Sequence, residues 1–368
     1  MKIIVLGRES ESCYTALHYK HYAPHVEVEM MYDDKIPIHQ TGQVTYTDAA
    51  ELLWEGLRTT WHKNPMKASF KTGILYKDWG QKNDQFFHPF PLHLVGLQYP
   101  AQSLQDYVLK SGLFTIKVNP IPSYNKLDAD FIFDCRGFPD DYTDYELLKN
   151  PLNSILLSEK KEERPYEHWT TATATPNGWS FELPLLDRVS LGYLYNDTLT
   201  SSSEATEDFK ERFKINEIKH QFQFKNYIAN NPIIDGRIIL NGKRLFFLES
   251  LEFTALSSCL RWNREVYDWI IIKGTYPPIL AQQLKERVYQ TQNFILYHYL
   301  FGSKYDTPFW KHCKDYKITD PLFTQRLHEA LASSFKDIVG KHNRPPFMYG
   351  LHAPYSFKNM YEGLRTCL

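Results

Sequence analysis

The 368-residue sequence predicts an α/β fold that opens with a Rossmann-like unit, and three features near the N-terminus predict it. Residues 2–6 are a short apolar run that meets Gly7 at once, as a buried parallel strand does. Residues 11–22 then suit a helix, and residues 26–31 suit a second strand. The order strand, glycine turn, helix, strand is the opening unit of a nucleotide-binding fold.

The next part of the chain predicts a helix and then a loop. Residues 48–61 have an amphipathic pattern that places Leu52, Leu53 and Leu57 on the buried face of a helix. Residues 86–91 are rich in aromatic residues and proline, which predicts a loop.

The middle of the chain alternates between apolar runs and polar stretches. Residues 131–134 predict another buried strand, whereas residues 141–170 are polar and predict irregular structure. Residues 179–195 alternate in the manner of a strand pair, with a turn near Leu186 and Asp187. We therefore expect sheet structure on both sides of an irregular segment.

The second half of the chain predicts helices and a hairpin. Residues 201–211, rich in Ser and Glu, are predicted to be a mobile loop that leads into a charged helix. Residues 237–247 predict a hairpin with Asn241 and Gly242 as its turn. Residues 280–301 carry the clearest helical pattern, because apolar residues recur close to one face.

The composition excludes several classes of function. The formal net charge is −1 and no basic run occurs, so neither nucleic acid nor an anionic membrane surface is an expected partner. The N-terminus reads as a strand rather than a signal peptide, and no stretch is apolar for long enough to cross a bilayer. Aromatic residues make up 15%, and they either fill the core or line a pocket for an aromatic ligand.

Neither the cysteines nor the histidines predict a metal site. The five cysteines are widely spaced and form no C-x-x-C pair, which fits free thiols in a reducing cytoplasm. His18 and His21 could share a helix face, but no acidic or Cys partner completes a ligand set, so we expect both at the surface.

The signal for dinucleotide binding is damaged. A G-x-G-x-x-G turn needs three glycines, of which only Gly7 is present, while Glu9 and Ser12 occupy the other two positions. The Glu9 carboxylate would repel a diphosphate unless Arg8 compensates. Asp33 follows the second strand, close to where an acidic residue holds ribose hydroxyls. Two interpretations stay open: a dinucleotide site, or a degenerate unit that has lost its ligand.

Six separated segments match one set of motifs in the same order. Residues 178–185 read G-W-S-F-E-L-P-L where the motif is G-W-x-W-x-I-P-L. Residues 128–138 read D-A-D-F-I-F-D-C-R-G-F where it is D-A-D-x-x-I-D-C-x-G-F. The other matches lie at residues 37–45, 69–79, 248–255 and 298–310. The chain thus resembles the flavin-dependent tryptophan halogenases from about residue 1 to about residue 315.

This resemblance implies a Rossmann-like, FAD-binding flavoprotein monooxygenase/halogenase fold with a helical part that covers the substrate. Residues 1–260 would form the FAD-binding domain with the halide and catalytic site, and residues 261–368 a helical substrate-side region packed on it as one unit. The implied activity is halogenation of an indole or another electron-rich aromatic with FADH2, oxygen and a halide ion. A separate flavin reductase would supply FADH2. A flavin monooxygenase that hydroxylates its substrate, or a binding protein without flavin, stays open as an alternative.

The resemblance assigns catalytic roles to Lys71 and Glu252. Lys71 lies in S-F-K-T-G-I, similar to the family's F-K-x-x-I, and its amine would relay hypohalous acid to the substrate. Glu252 lies in L-E-S-L-E-F-T-A, similar to V-E-P-L-E-S-T-G, and would stabilise the cationic ring intermediate and accept its proton. Without this context Lys71 would be a surface lysine, and Glu252 would pair with Arg244 or Arg261.

Further site residues follow from the same motifs. The backbone N–H groups of Thr254 and Ala255 would hold the halide. Trp179, Phe181 and Pro184 would line the site, either as ordinary core or as a partition that keeps substrate away from the flavin. The residues implied to bind the cofactor are Gly7, Arg8, Glu11, Asp33, Gly42, Gln43 and Leu256.

The chain also departs from the family pattern. Besides Glu9 and Ser12, Phe246 replaces a glycine near the expected flavin path, while Lys243 and Arg244 could grip phosphate. We therefore expect weak, transient flavin binding. The chain ends early after the last motif, which predicts a more open site and a larger or simpler aromatic substrate than tryptophan. The oligomeric state is left open, a homo-oligomer included.

Overall fold

The computed structural model describes residues 1–36, 42–45, 47–60, 62–80, 85–90, 95–164, 166–334 and 349–364. The chain folds into two compact units, each assembled from separate stretches. The first unit comprises Met1–Ala68, Leu97–Leu147 and Tyr227–Lys285, and the second comprises Ser69–Gly96, Leu148–Asn226 and Glu286–Leu368. A functional division at residue 260 into flavin-binding and substrate-side parts stays a prediction.

The predicted opening unit is confirmed. The strand Lys2–Leu6, the helix Ser10–Tyr22 and the strand Glu27–Tyr32 follow one another, and the two strands are parallel. Within the described residues of the first unit, six strands form one sheet. Their spatial order is Ile233–Ile234, Ile238–Leu240, Phe131–Asp134, Lys2–Leu6, Glu27–Tyr32 and Thr115–Val118, and all but the first edge strand run parallel.

Smaller elements complete the first unit. The strand Gly42–Thr45 pairs with Gly96–Pro100, and a separate sheet joins Tyr145–Leu147, Tyr227–Ala229 and Phe246–Phe247. The helical segments are Thr47–Glu51 with a π-helical turn at Leu52–Gly56, Ala101–Leu109, the 3-10 turns Tyr124–Lys126 and Gly242–Arg244, and Ala255–Val266 with a π-helical continuation at Tyr267–Ile272.

The second unit is built on a seven-stranded sheet of described residues. Its spatial order is His220–Gln223, Ser154–Lys160, Val189–Tyr195, Gly178–Pro184, Trp169–Thr175, Gly73–Lys77 and Gln85–Pro89. The short strand Ser69–Lys71 precedes Gly73–Lys77. The helices are Ser202–Phe213, Pro308–Cys313, Pro321–Ala332, Pro354–Leu364 and most of Pro278–Leu300.

Several sequence predictions are confirmed in this unit and its neighbour. The strand at residues 131–134 is present, and residues 178–184 and 189–195 form the expected antiparallel pair with the Leu185 N–H donating to the Arg188 carbonyl. The helix expected over residues 280–301 spans Pro278–Leu300. No helix in the described part of the chain has the length and apolarity needed to span a bilayer.

Two segments predicted to be irregular contain strands. Residues 85–89 pair with Gly73–Lys77, so the loop predicted at residues 86–91 is wrong for this part, and Pro91 lies outside the described residues. Residues 154–160 form a strand inside the stretch predicted to be irregular, because Ile155, Leu156 and Leu157 are buried in the sheet. The segment is polar as a whole, which hides its short apolar run, and the neighbouring strands that pair with it are distant in sequence.

The loop and the hairpin predicted in the second half are also wrong. Residues 202–213 are helical from the start, because Ser201 and Glu204 form a reciprocal capping box. Residues 238–240 and 246–247 belong to different sheets, and the Gly242–Arg244 turn joins them. The strand 238–240 instead pairs with Ile233–Ile234, across a turn at Asp235 and Gly236.

Two smaller expectations need correction. The helix predicted over residues 48–61 ends at Gly56, and Arg58 has a left-handed φ of 52°, while the predicted core residues Leu52 and Leu53 are buried. His18 is 3% exposed rather than at the surface, because its ring packs against Tyr22 with a centroid distance of 4.9 Å.

Candidate functional site

Gly7 makes the turn between the first strand and the first helix, as predicted. Its φ is +111°, which side chains rarely adopt, and a Cβ here would lie 2.5 Å from the Ser12 hydroxyl and 2.9 Å from the Cys135 carbonyl oxygen. Its N–H donates to the Met31 carbonyl of the neighbouring parallel strand at 2.9 Å. The turn therefore lies at the carboxyl ends of parallel strands, the edge where α/β sheets bind ligands.

An ion pair occupies this turn. The Lys243 ammonium lies 2.5 Å from Glu9 Oε2, and both side chains are about four-fifths buried, at 22% and 18% exposure. Burial lowers the pKa of Lys243, but the Glu11 and Glu9 carboxylates outweigh it and hold that pKa above its usual value. The sequence had suggested Arg8 as the partner of Glu9; Lys243 has that role instead.

Arg8 and Asp33 are engaged beyond the end of the second strand. The Arg8 guanidinium donates to the Asp34 and Ile36 carbonyls at 3.0 and 2.9 Å, and it lies over the Tyr32 ring at 5.1 Å. Asp33 Oδ1 accepts from the Lys35 N–H at 2.9 Å and so stabilises its own turn. These contacts hold Arg8 against the end of the second strand, and Asp33 lies directly after that strand, where the sequence had placed it.

Glu11 is a buried carboxylate in the first turn of the first helix. It is 7% exposed, and its Oε2 has no hydrogen-bond partner among the described residues. Gly242 lies directly against it, because a Cβ on Gly242 would meet Glu11 Cβ at 2.7 Å. A buried acceptor without a donor at a ligand-binding edge fits a hydroxyl donor from a bound molecule.

Asp134 organises a polar cluster that the sequence did not predict as part of the site. It is the last residue of the strand Phe131–Asp134 and is fully buried. Arg136 donates to both of its carboxylate oxygens, at 2.9 and 2.8 Å. Tyr124 also donates to it, and Arg244 Nε lies 3.6 Å away. Burial raises the pKa of Asp134, but Arg136 and Arg244 more than offset this and hold it below the usual value.

Lys71 is fully buried in the second unit, which contradicts the surface interpretation. It ends the strand Ser69–Lys71, and its ammonium lies 5.5 Å from the centre of the Phe90 ring. Backbone pairing fixes its position, since Thr72 donates from both its N–H and its hydroxyl to the His168 carbonyl. Charged lysines are almost never fully buried without a reason, so this position favours a functional amine.

Glu252 lies in a buried turn that precedes a helix of the first unit. It is 1% exposed, and the next residue, Phe253, has a left-handed φ of 52°. The Phe253 N–H donates to the Ser250 carbonyl at 3.0 Å, which closes the turn. Phe253 thus holds the backbone in a conformation that costs energy and is typical of functional sites.

Thr254 and Ala255 begin the helix Ala255–Val266. Thr254 is the residue before its first turn, and its carbonyl accepts from the Ser258 N–H at 3.0 Å. The first N–H groups of a helix have no partner within it, so this end attracts anions. Leu256, predicted to contact the cofactor, is 9% exposed in the same turn.

The two arginines considered as partners of Glu252 have carboxylate neighbours elsewhere. Arg261 Nε lies 3.1 Å from Glu265 on the same helix. Arg244 lies beside Asp134, as described above.

Trp179, Phe181 and Pro184 lie on one strand of the second unit and are all buried. Because side chains alternate along a strand, Trp179 and Phe181 share a face, and their ring centres are 6.1 Å apart. Gly192 of the neighbouring strand makes room for Phe181, since a Cβ there would come within 2.1 Å of the ring. Trp179 and Phe181 therefore form a packed aromatic layer, whereas Pro184, an odd number of positions from both, falls on the opposite face of the strand.

The last matching motif is part of the core. The Trp310 indole donates to the Thr175 carbonyl at 2.8 Å and meets the Trp79 ring edge-on at 5.5 Å. His298 also packs against Trp79, and its Nδ1 lies 2.9 Å from the Phe294 carbonyl. These residues hold the second unit together.

Gly42 and Gln43 are described only in their backbone. They lie in the strand Gly42–Thr45, opposite Pro100 and Tyr99. Residues 37–41, which begin this motif, lie outside the described residues. Their role at the cofactor stays a prediction.

Comparisons with known proteins agree with these motifs. The family described as tryptophan halogenase matches residues 2–113 and 116–343, which extends beyond the limit near residue 315 predicted from the sequence. The tryptophan 7-halogenase RebH of Lentzea aerocolonigenes is 24% identical over 255 residues, or 64% of this chain and 48% of its own length. The tryptophan 7-halogenase KtzQ of Kutzneria sp. is 26% identical over 212 residues, or 53% and 39%. The matches thus span less than half of either relative.

Solved structures show the same fold. The tryptophan 6-halogenase of Streptomyces toxytricini superposes with a TM-score of 0.81 at 16% identity, over 99% of this chain and 90% of the other. The tryptophan C-6 flavin-dependent halogenase of taromycin biosynthesis gives 0.82 at 16% identity, over 99% and 90%. The predicted Rossmann-like α/β fold is therefore confirmed.

Proposed function

The chain belongs to the tryptophan halogenase family, and on that premise we propose that it is an FADH2-dependent halogenase of an indole or another electron-rich aromatic. The observation that carries the proposal is Lys71, a lysine with no exposed surface at the position of the family's motif lysine. A lysine at the surface would be solvated by water, whereas a buried lysine at this position can contact hypohalous acid where water does not compete.

Lys71 would deliver the halogen. Its ammonium can donate a hydrogen bond to hypohalous acid and polarise the oxygen–halogen bond, and its neutral amine can carry the halogen as a haloamine. The hydrogen bonds from Thr72 to the His168 carbonyl fix the backbone next to Lys71, which restricts how far the Lys71 amine can reach. The neighbouring Phe90 ring supports a site with little water, which would protect the oxidant from side reactions.

Glu252 would act on the substrate after the halogen has been transferred. Electrophilic attack leaves a cationic ring, and a buried carboxylate stabilises that charge and then accepts the ring proton. Burial of Glu252 at 1% exposure strengthens this electrostatic interaction, because little water screens it. The Phe253 turn would hold the carboxylate in place.

The halide would bind at the start of the helix Ala255–Val266. The backbone N–H groups of Thr254 and Ala255 lie at this end, where the helix dipole also favours an anion. The side chain of Ala255 is not needed for this role, because backbone groups supply the contacts. The substitution of Ala for the family's glycine is therefore compatible with it.

The residues at the Gly7 turn fit an FAD molecule. When bound, reduced FAD supplies, with oxygen and halide, the hypohalous acid that the reaction needs. Gly7 would make the tight turn that brings the first helix to the diphosphate, and the unsatisfied Glu11 Oε2 would accept from a ribose hydroxyl. Arg8, Asp33, Gly42, Gln43 and Leu256 would complete the contacts.

We further propose that FAD binds weakly and that a separate reductase supplies it in reduced form. The Glu9–Lys243 ion pair supports this, because its carboxylate stands where a diphosphate would lie and must give way. Lys243 would then turn to the phosphates. The buried free thiols of Cys13, Cys135, Cys259 and Cys313 support a reducing cytoplasm as the place of action.

The strand Gly178–Pro184 would keep the aromatic substrate apart from the flavin. Trp179 and Phe181 form a packed layer on one face of the strand, with Phe181 filling the space above Gly192. Such a partition would favour halogenation over direct oxygenation. Tryptophan itself is one candidate substrate, and a larger or simpler aromatic is another.

One assay tests the proposed function directly. The purified chain, with FAD, NADH, a flavin reductase and oxygen, is incubated with a panel of aromatics and with chloride, bromide or iodide. We expect mass spectrometry to show a halogen-substituted product that disappears when halide is omitted. A hydroxylated product without halide would identify a monooxygenase. Failure to bind FAD in either redox state would identify a non-catalytic relative.

A further inference from the structure

The second unit contains a cavity that the proposed function does not use. Its volume is about 380 Å³, within the range of small-ligand sites. Its cationic lining residues come from two strand ends, a loop and a helix end: Lys77, Lys160, Arg164, Arg212 and Lys214. Glu182 is its one acidic lining residue among those described.

This cavity lies on the opposite side of the sheet from Trp179 and Phe181. Glu182 pairs directly with Leu191 in the neighbouring strand, and both residues line the cavity. Side chains alternate along a strand, so Phe181, the neighbour of Glu182, points the other way. The cavity is therefore distinct from the aromatic layer of the proposed halogenation site.

The charges around the cavity are not fully balanced. Arg164 forms an ion pair with Glu182 of the lining at 2.6 Å. Lys160 forms an ion pair at 2.9 Å with Glu162, which is not a lining residue. Lys77 and Lys214 have no carboxylate within ion-pair distance among the described residues. A concave surface with excess positive charge concentrates anions.

Arg212 adds a further positive charge. One of its terminal nitrogens lies 3.4 Å from Asp208, which is outside the lining. A guanidinium carries several N–H donors in one plane, an arrangement that matches the oxygens of a phosphate. Val189, Leu191 and Phe213 form an apolar part of the lining, which suits the organic part of a ligand.

We propose that this cavity binds a small phosphate-bearing molecule, with its phosphate held by Lys77, Arg212 and Lys214 and its organic part against Phe213. The ligand class is a phosphate ester such as a nucleotide, because an inorganic ion would leave the apolar part of the lining unused. The proposal rests on the second unit alone and stands whether or not the chain halogenates.

Isothermal titration calorimetry with AMP tests the site on the purified chain. We expect the double variant Lys77→Gln/Lys214→Gln to weaken AMP binding by at least about tenfold, as loss of charge-assisted contacts does. Lys210→Gln, on the same helix but outside the lining, should leave the affinity unchanged. Equal weakening by Lys210→Gln, or no binding of AMP by the unmodified chain, would overturn the proposal.

Two further measurements test where AMP binds and which of its groups is recognised. AMP is also half of FAD, so the Gly7 turn is a second place where it can bind. Binding at the cavity is the part that survives in Lys243→Met and is weakened in Lys77→Gln/Lys214→Gln; complete loss of AMP binding in Lys243→Met would assign AMP to that turn and overturn the cavity site. Citrate carries charge without phosphate, and we expect it to bind more weakly than AMP. Binding of citrate as tight as that of AMP would overturn the ligand class.

Discussion

The Lys243 ammonium lies 2.5 Å from the Glu9 carboxylate, directly beyond the turn that Gly7 makes. Glu9 stands at the position where a dinucleotide-binding turn has its second glycine, the residue that lets backbone approach a diphosphate. At this position a glycine would leave room for the diphosphate, whereas this chain has a carboxylate that is paired with Lys243. Flavin and Glu9 would compete for the same ammonium.

This competition predicts the effect of removing the carboxylate. Glu9→Gln should strengthen FAD binding by about tenfold, because Lys243 is then free for the diphosphate, and Lys243→Met should weaken it by a similar factor. Fluorescence titration measures both. Riboflavin, which lacks phosphate, is the control ligand and should bind all three proteins alike. Equal FAD affinity in all three would show that the ion pair does not control the cofactor.

Replacement of Lys71 tests the relay. Lys71→Met keeps the length of the buried side chain but removes its nitrogen, so we expect no halogenated product while circular dichroism shows an intact fold. Lys110→Met is the matched control, since Lys110 is exposed on a helix surface, and should keep full activity. Normal turnover by Lys71→Met, with no free hypohalous acid in solution, would refute the relay.

Glu252→Gln tests the base. The amide keeps the shape of the side chain but neither carries a negative charge nor accepts the ring proton, so turnover should fall by roughly a hundredfold or more. Glu265→Gln removes a carboxylate of the nearby helix and should leave turnover unchanged. Single-turnover product formation, followed by mass spectrometry, measures the step. An unchanged rate for Glu252→Gln would remove this residue from the mechanism.

The sequence predicted those parts of the fold in which local signals and tertiary pairing agree. The first strand, the Gly7 turn and the first helix were predicted because an apolar run, a glycine and a helical pattern follow one another. Residues 85–89 were not, because their strand exists only through pairing with Gly73–Lys77. Pairing partners distant in sequence cannot be read from composition.

The candidate site shows the same limit. The motif lysine and glutamate could be identified at positions 71 and 252, but neither their burial nor the Phe253 turn follows from the sequence. The partner of Glu9 was missed, since 234 residues separate it from Lys243. The one available signal was a basic residue directly after Gly242, at the end of a parallel strand.

His18 gives the protein a dependence of stability on pH. Burial, then the charge of Arg264 and the neighbouring His21, lowers the pKa of His18 to about 3. The folded protein thus excludes a proton that the unfolded chain binds below about pH 6.5. The free energy of unfolding should therefore fall as pH drops from about 6.5 towards 3, by at most about 1.4 kcal/mol per pH unit. His18→Phe should flatten this part of the curve in urea titrations, whereas the exposed His25→Phe should not; identical curves for both variants would contradict the assignment.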